Sequence, residues 1–333
     1  MRKFITLVFL LSSLIFYGQS ENIIHQSTFL QVVNPSYFGL NHLSKIGVLY
    51  NTSLVNQNDK IIQQYVFGSL SFPVQNFSLG FDVNSYKVQN VDLNSTLGRL
   101  SFVYKIQVDQ HTYFLPAITL GFKNLTTRLP SLVFEDQINR TTGFISSETD
   151  DPLAEIVGRV NYADLEASFI VHSDLFFAGF SIKHLNQPNT SFDKEQVVSL
   201  PLALHLQGGL EMDINQYNRS FLPKNSFLFL YMGTRYTEGN FYANFAEEFQ
   251  FDNFSIGLNQ LVANTDQFTF NALGLNLGLK VENFDFGFQY NFSFQKANKV
   301  FAPSVFELFL VFDFSPFRRN QRGYLKRLQI NNY

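Results

Sequence analysis

The sequence predicts an all-β protein that closes into an antiparallel transmembrane β-barrel of about fourteen strands. Three observations support this: long segments alternate apolar and polar residues, aromatic residues are abundant, and charged residues are scarce. The 333-residue chain has 40 phenylalanines and no tryptophan, and 15% of its residues are charged. Soluble domains have about 25% charged residues. This composition suits a protein that is apolar on its outer surface as well as packed inside.

The alternation is clearest in residues 284–294, where every second residue is aromatic. These positions are Phe284, Phe286, Phe288, Tyr290, Phe292 and Phe294. The residues between them are polar or small. Because successive side chains of a strand point to opposite faces, one face of this strand is aromatic and the other polar. The same pattern recurs in residues 77–84, 163–171, 200–213 and 273–281.

The alternating segments run for about 9–13 residues, which is close to the length of a tilted membrane-spanning strand and longer than most strands of globular proteins. Fourteen candidate strands begin near Lys45, Gln63, Phe77, Thr96, Thr112, Tyr162, Leu175, Leu200, Phe227, Phe241, Phe254, Phe270, Phe284 and Val305. The alternative fold, a secreted β-sandwich, would need shorter strands and a more charged surface.

An even number of strands returns the chain to the side on which it started. Bacterial barrels keep both ends and their short turns in the periplasm, so we expect both termini there. The long connections, 124–161 and 185–199, then lie on the outer side. The connection 215–225 departs from this scheme, because it is a longer turn on the periplasmic side.

Residues 1–18 predict a signal peptide, with a charged start at Met1-Arg2-Lys3 and an apolar run from Phe4 to Phe16. The run is too short for a membrane-spanning helix. We expect a mature chain that begins near Gln19 and resides in the bacterial outer membrane. Its predicted parts are a periplasmic pre-barrel segment at 19–43, the barrel at 44–314 and a basic periplasmic tail at 315–333.

The sequence has no pattern typical of an enzyme or a metal site. It lacks cysteine, and its six histidines do not have metal-ligand spacing. His205, Glu211 and Asp213 share a predicted luminal face and could join a serine, as in a barrel lipase, but a solvated lumen wall is the simpler interpretation. We therefore expect no catalytic activity, no cofactor and no metal. The net charge of −3 does not indicate binding to nucleic acid.

The tail carries a cluster of positive charges with no acidic residue beside them. The basic residues are Arg318, Arg319, Arg322, Lys326 and Arg327. One interpretation is a periplasmic arm that docks on an acidic partner or on anionic lipid heads. The other is a disordered tail whose charges keep it out of the membrane.

Three motifs connect the chain to a known family. The first is Asn-Pro-Ser-Tyr-Phe-Gly at 34–39, the second is the strand Phe177–Pro188, which contains the sequence His-Leu-Asn-Gln-Pro, and a weaker third is 303–312 around Glu307. On these motifs the chain resembles the PorP/SprF family of Bacteroidetes outer-membrane proteins. The resemblance covers nearly the whole mature chain in order and spacing.

The resemblance implies a role in the type IX secretion system, the export route linked to gliding motility. It implies partners: a large secreted adhesin with a C-terminal sorting domain and other secretion components, in contact with outer-membrane lipid. The alternative function is an outer-membrane channel for small solutes. The candidate partner-binding or structural residues are Asn34, Pro35, Tyr37, Gly39, Gly179, His184, Asn186 and Pro188.

The first motif also has a physical interpretation of its own. Asn34-Pro35 favours a turn, Pro35 fixes φ, and Gly39 permits conformations that other residues resist. A compact turn with Tyr37 could plug or brace the periplasmic mouth, or the segment could simply lead into the first strand. In the second motif, Pro188 cannot extend a strand ladder, so we expect the strand to end there at the outer rim.

Overall fold

The computed structural model describes most of the chain from Gln26 onward. The described residues are 26–42, 44–54, 60–89, 93–127, 138, 158–192, 197–215, 221–264, 268–294, 304–314 and 328. The predicted signal peptide and the five basic residues of the tail lie outside them.

The described residues form one antiparallel sheet in which nearly every strand pairs with its neighbours in sequence. Its strands are β1 Lys45–Leu54, β2 Lys60–Phe72, β3 Phe77–Val88, β4 Leu93–Tyr104, β5 Ile106–Gln107, β6 Thr112–Thr127, β7 Gly158–Ser173, β8 Phe176–Lys183, β9 Ala203–Asp213, β10 Ser226–Thr237, β11 Asn240–Phe251, β12 Phe254–Asn264, β13 Phe268–Val281, β14 Phe284–Ser293 and β15 Ser304–Asp313. β4 and β5 both pair with β6, so they are one interrupted strand and the ring has fourteen positions.

The sheet closes because β1 pairs with β15 over ten residues, from Lys45 opposite Asp313 to Leu54 opposite Ser304. Closure matters physically, since each unpaired backbone group in lipid costs several kcal/mol. The predicted antiparallel barrel of about fourteen strands is therefore confirmed. The strands vary more in length than predicted: β6 and β7 each have 16 residues, and β8 has eight.

The two faces of the sheet differ as the alternation predicts. In β14, Phe284, Phe286 and Phe288 point outward and are 37–42% exposed, whereas Gln289 and Asn291 point inward and are fully buried. The outward phenylalanines and leucines of the other strands extend this apolar surface around the ring. The outer surface is therefore suited to lipid, and the polar side chains are collected inside.

The two ends of the barrel differ in their connections. Tight turns join β2 to β3, β7 to β8, β11 to β12 and β13 to β14 at the end where β1 begins and β15 finishes; we name it the short-turn end. Asn76, Asp252 and Glu282 in these turns have positive φ. The connection that follows β8 belongs to the opposite end. It begins at His184, which also has positive φ.

Within the described residues 26–42, two helices precede β1. They are α1, Leu30–Val33, and a 3-10 helix, Pro35–His42. None of the described helices is long and apolar enough to cross a membrane.

Candidate functional site

The segment 26–42 lies inside the barrel; we name it the plug. Phe29, Val32 and Phe38 are at most 3% exposed, and they belong to one buried cluster with inward residues of the wall. The wall members include Leu49, Tyr65, Phe67, Val103, Leu115, Ile170, Phe177, Phe229, Tyr231, Phe309 and Val311. Each fully buried large apolar side chain contributes about 1.5–3 kcal/mol. The plug is therefore packed as a core element of the barrel, not only as a lead into β1.

The local sequence explains the shape of the plug. The backbone amide of Asn34 donates to Leu30 O at 3.0 Å and closes α1. Asn34 has an extended conformation, which the following Pro35 favours. Its side-chain Oδ1 accepts the Ser36 amide at 3.0 Å, so a compact turn joins the two helices.

Asn34 also attaches the plug to the wall. Its Nδ2 donates to Phe169 O at 3.1 Å and to Phe180 O at 3.3 Å. These two residues are paired across β7 and β8.

Gly179 makes that approach possible. A Cβ placed on Gly179 would lie 2.9 Å from Asn34 Nδ2 and 2.7 Å from Ile170 Cγ2. Both distances are too short for an ordinary contact, so a side chain here would displace the asparagine. The structure thus brings together Asn34 of the first motif and Gly179 of the second.

The wall supplies further partners to the plug backbone. Ser181 Oγ donates to Val33 O at 2.9 Å, and Lys183 Nζ donates to Val32 O at 2.8 Å. The last carbonyls of a helix have no partner within the helix, so these side chains satisfy them. The hydroxyls of Ser36 and Ser168 hydrogen-bond at 2.8 Å. Three inward side chains of β7 and β8 therefore bind the turn of the plug. We name Ser168, Gly179, Ser181 and Lys183 the seat.

The remaining plug residues pack on both sides of this seat. Tyr37 meets Phe177 edge to face, with ring centroids 5.2 Å apart. Burial raises the pKa of Tyr37 well above its usual value, so the phenol stays protonated. A Cβ on Gly39 would lie 2.7 Å from Val103 Cγ1, so the 3-10 helix runs against β4. Pro35 begins this helix.

A buried ion cluster joins three strands of the wall. Arg99 Nε donates to Asp82 Oδ1 at 2.9 Å, and Arg99 Nη1 lies 3.3 Å from Glu166 Oε1. All three residues are at most 3% exposed. Charges at this depth require partners, because an unpaired buried charge costs several kcal/mol. The cluster connects β3, β4 and β7, the last of which carries Ser168 of the plug seat.

The other residues of the second motif organise the connection after β8. His184 Nδ1 lies 2.8 Å from Asp164 Oδ2. Asn186 imitates a neighbouring strand, because its side chain donates to Ala163 O at 2.8 Å and accepts the Leu165 amide at 3.0 Å. Pro188 is buried, and its carbonyl accepts the Leu200 amide. The structure thus separates the candidate residues: Asn34, Pro35, Tyr37, Gly39 and Gly179 belong to the plug and its seat, and His184, Asn186 and Pro188 to this connection.

A cavity of about 200 Å³ lies at the short-turn end. One side is formed by plug residues such as Ser27, Leu30 and Tyr37, and the other by the walls of β1 and β11–β15. Its charged lining residues are Lys45, Glu248, Lys280, Glu282, Asp285 and Asp313. The plug therefore packs against β2 and β15 as well as β7 and β8, and it leaves space at the mouth beside β1 and β11–β15.

The residues for which the sequence left a catalytic role open are His205, Glu211 and Asp213. His205 is buried, and Glu211 Oε2 accepts the backbone amide of Leu328 at 2.8 Å. Asp213, the last residue of β9, is exposed and accepts the Asn215 amide at 2.9 Å. Within the described residues, no group of three or more His, Asp or Glu side chains could hold a metal ion.

The plug contacts of Ser36, Ser181 and Lys183 and the partners of Arg99 are not among the residues that the sequence predicts. Alternation showed that the strand residues among them point inward. It could not show which side chains meet across the lumen.

A closed antiparallel barrel with an apolar outer face and an interior filled by its own N-terminal segment defines a plugged outer-membrane barrel protein. The model of one family, described as type IX secretion system membrane protein PorP/SprF, matches residues 19–312. The chain belongs to this family, and its localisation is the outer membrane.

Several solved structures are similar in fold. The outer-membrane protein Omp33 of Acinetobacter baumannii is 8% identical, with a TM-score of 0.47 over 83% of this chain and 100% of that chain. A deltaS2 mutant of the TodX monoaromatic hydrocarbon channel is 8% identical, with a TM-score of 0.47 over 85% and 93%. A FadL homologue of Pseudomonas aeruginosa is 10% identical, with a TM-score of 0.45 over 85% and 93%. The search of curated proteins gave no match.

Proposed function

We propose that this protein is a plugged, non-enzymatic barrel of the type IX secretion and gliding machinery that assists the export or surface anchoring of a large adhesin-like protein. It recognises that protein through its C-terminal sorting domain. Family membership supports the assignment to the secretion system. The adhesin is the partner that the family resemblance implies.

The observation that carries this proposal is the occupied interior. A channel for small solutes needs a continuous aqueous path, whereas Asn34, Lys183 and the apolar cluster hold the plug across the lumen. A barrel with a packed interior is better suited to holding a partner at one of its ends. The cavity at the short-turn end is the feature that would favour the channel if it extended through the barrel.

The proposed orientation places the short-turn end and both termini in the periplasm, after removal of residues 1–18. Short periplasmic turns are typical of bacterial barrels. The connection with His184, Asn186 and Pro188 then faces the cell exterior, where an anchored protein would be held. The proposed partner contact is the surface of this connection, with Asn186 exposed on it and His184 and the buried Pro188 fixing its shape. The proposed role of Asn34, Pro35, Tyr37, Gly39 and Gly179 is to keep the interior closed.

The decisive experiment is recovery of the tagged protein from native outer membranes. We expect a large secreted protein with a C-terminal sorting domain to co-purify with it. In a matched variant, Asn186→Ala should weaken recovery, because the connection loses its contacts with β7. Asn124→Ala, also at the opposite end, is the control. Recovery of the barrel alone would contradict the anchoring role.

Conductance in planar bilayers is a second test that distinguishes the anchoring role from the channel for small solutes. The unaltered protein should show no steady conductance. Asn34→Ala should raise the frequency of open events, since the plug loses two hydrogen bonds to the wall. Steady conductance of the unaltered protein, together with its recovery alone, would establish the channel instead.

A further inference from the structure

The pairing between β7 and β8 stops before β8 ends. β8 runs to Lys183, but its pairing with β7 ends at Ile182, opposite Ala167. Among the described strands, Lys183 is therefore paired only with β9, where it lies opposite Ala203. Lys183 is also the residue whose Nζ donates to Val32 O of the plug at 2.8 Å. The contacts that hold the end of β8 on β7 therefore affect how firmly the plug is held.

The connection after β8 supplies these contacts. His184 Nδ1 lies 2.8 Å from Asp164 Oδ2, and the Leu185 amide donates to Leu165 O at 2.9 Å. The side chain of Asn186 donates one hydrogen bond to the backbone of β7 and accepts another from it. Three consecutive residues of the connection thus continue the attachment of β8 to β7 where the regular pairing has stopped.

The stretch of β7 that receives the connection also carries contacts to the interior. Asp164, Glu166 and Ser168 are alternate residues of β7 and are at most 7% exposed. Glu166 lies 3.3 Å from Arg99, and the Ser168 hydroxyl hydrogen-bonds to Ser36 of the plug at 2.8 Å. Because a close-packed interior transmits displacement, a shift of this part of β7 against β8 also moves the seat.

We propose that the connection and the seat form one coupled unit: pulling residues 184–186 away from β7 releases the plug, and releasing the plug loosens the connection. A partner that binds the displaced connection more tightly than the attached one then shifts the plug toward its released state. Coupling of this kind acts in both directions. Its use by a partner rests on the proposed anchoring function, whereas the coupling itself is a property of this chain alone.

Hydrogen exchange of the purified barrel, with no partner present, tests the coupling. The amides of Val32 and Asn34 donate to carbonyls within the plug, so their exchange reports opening of this segment. Asn186→Ala removes both hydrogen bonds of that side chain to β7. It should speed the exchange of the two plug amides about tenfold, the size expected for the loss of one or two hydrogen bonds.

Asn189→Ala is the matched control, because Asn189 is an asparagine of the same connection. Its side chain accepts the Ser191 amide at 3.0 Å and the Val198 amide at 2.9 Å, and both of these amides belong to the connection itself. This variant should speed the exchange of Val198 and leave the plug amides unchanged. Equal exchange of the plug in Asn186→Ala and Asn189→Ala would overturn the proposal.

The reverse measurement starts from the plug. Asn34→Ala removes the two hydrogen bonds from the plug to Phe169 O and Phe180 O, and it should speed the exchange of the Leu185 amide at the other end of β8. An unchanged Leu185 amide in this variant would show that the coupling is absent.

The amides of β15 distinguish release of the plug from general instability, since β15 lies seven positions from β8 in a ring of fourteen. Their exchange should stay unchanged in Asn186→Ala, and equal acceleration there would also overturn the proposal. If Asn186→Ala does not fold, Asn186→Asp gives the same comparison with a smaller change, because it keeps the acceptor for the Leu165 amide. Co-purification of the secreted protein is a separate measurement, so the coupling can fail while the anchoring function stands.

Discussion

At the scale of single residues, the side chain of Asn34 attaches the plug to backbone carbonyls of the wall. Two hydrogen bonds run from its amide to Phe169 O and Phe180 O. The contact depends on Gly179, which leaves the wall bare at that position. The strength of the plug attachment is therefore set by the absence of one methyl group as much as by the presence of one amide.

We expect Gly179→Ala to loosen the plug and to destabilise the barrel by about 1–3 kcal/mol, because the new methyl group overpacks the seat. Hydrogen exchange of residues 29–34 and the temperature at which the folded form disappears on a gel measure the two effects. Gly98→Ala is the control, as a Cβ at Gly98 has nothing within 4 Å. Equal behaviour of the two variants would show that the seat does not require glycine.

At the scale of elements, the Arg99 cluster couples strands that are distant in sequence. It links β3 and β4 to β7, whose neighbour β8 provides Ser181 and Lys183 to the plug. The cluster is more than a solvated wall, because its three residues are buried. Its energetic value lies in the pairing, since a buried charge that loses its partner is expensive.

Arg99→Met should destabilise the barrel by about 3–5 kcal/mol, because it leaves Asp82 and Glu166 buried without their cation. Adding Asp82→Asn and Glu166→Gln to the same chain should restore much of this loss, since the charges then disappear together. Urea midpoints of the single and triple variants give the comparison. An unchanged urea midpoint for the single variant Arg99→Met would mean that the cluster is hydrated and weakly coupled.

The elements also show what the sequence could and could not predict. Alternation identified the strands and the orientation of residues such as Phe288 and Asn291, because side-chain direction has a period of two residues. It did not reveal the break between β4 and β5, where the Lys105 amide donates to Asn76 O. For the motif at 34–39, the sequence left two interpretations open: a plug or brace of the mouth, or a lead into the first strand. Periodicity describes each strand separately, and the meeting of Asn34 with Gly179 depends on how distant segments come together across the lumen.

At the scale of the whole molecule, the outer surface determines where the barrel can reside. Phe288 is in the middle of β14 and Phe284 is at its short-turn end, on the same outward face. Phe288→Arg should cost about 2–4 kcal/mol in a bilayer and Phe284→Arg about 0–1 kcal/mol, because the penalty for charge falls toward the interface. Unfolding measured in lipid vesicles provides the test. Equal penalties would contradict the predicted depth of β14.

The enclosed plug has a consequence for the order of assembly. The plug precedes β1 in the chain, whereas the pairing of β1 with β15 joins the two ends of the barrel domain. The seat for Asn34 needs only β7 and β8, so it can exist while the ring is still open. A segment that enters early guides the inner side chains into register around it. A plug that arrives after closure has to thread through a mouth that has already formed. The time at which β1 pairs with β15, relative to entry of the plug, then sets how fast the protein matures.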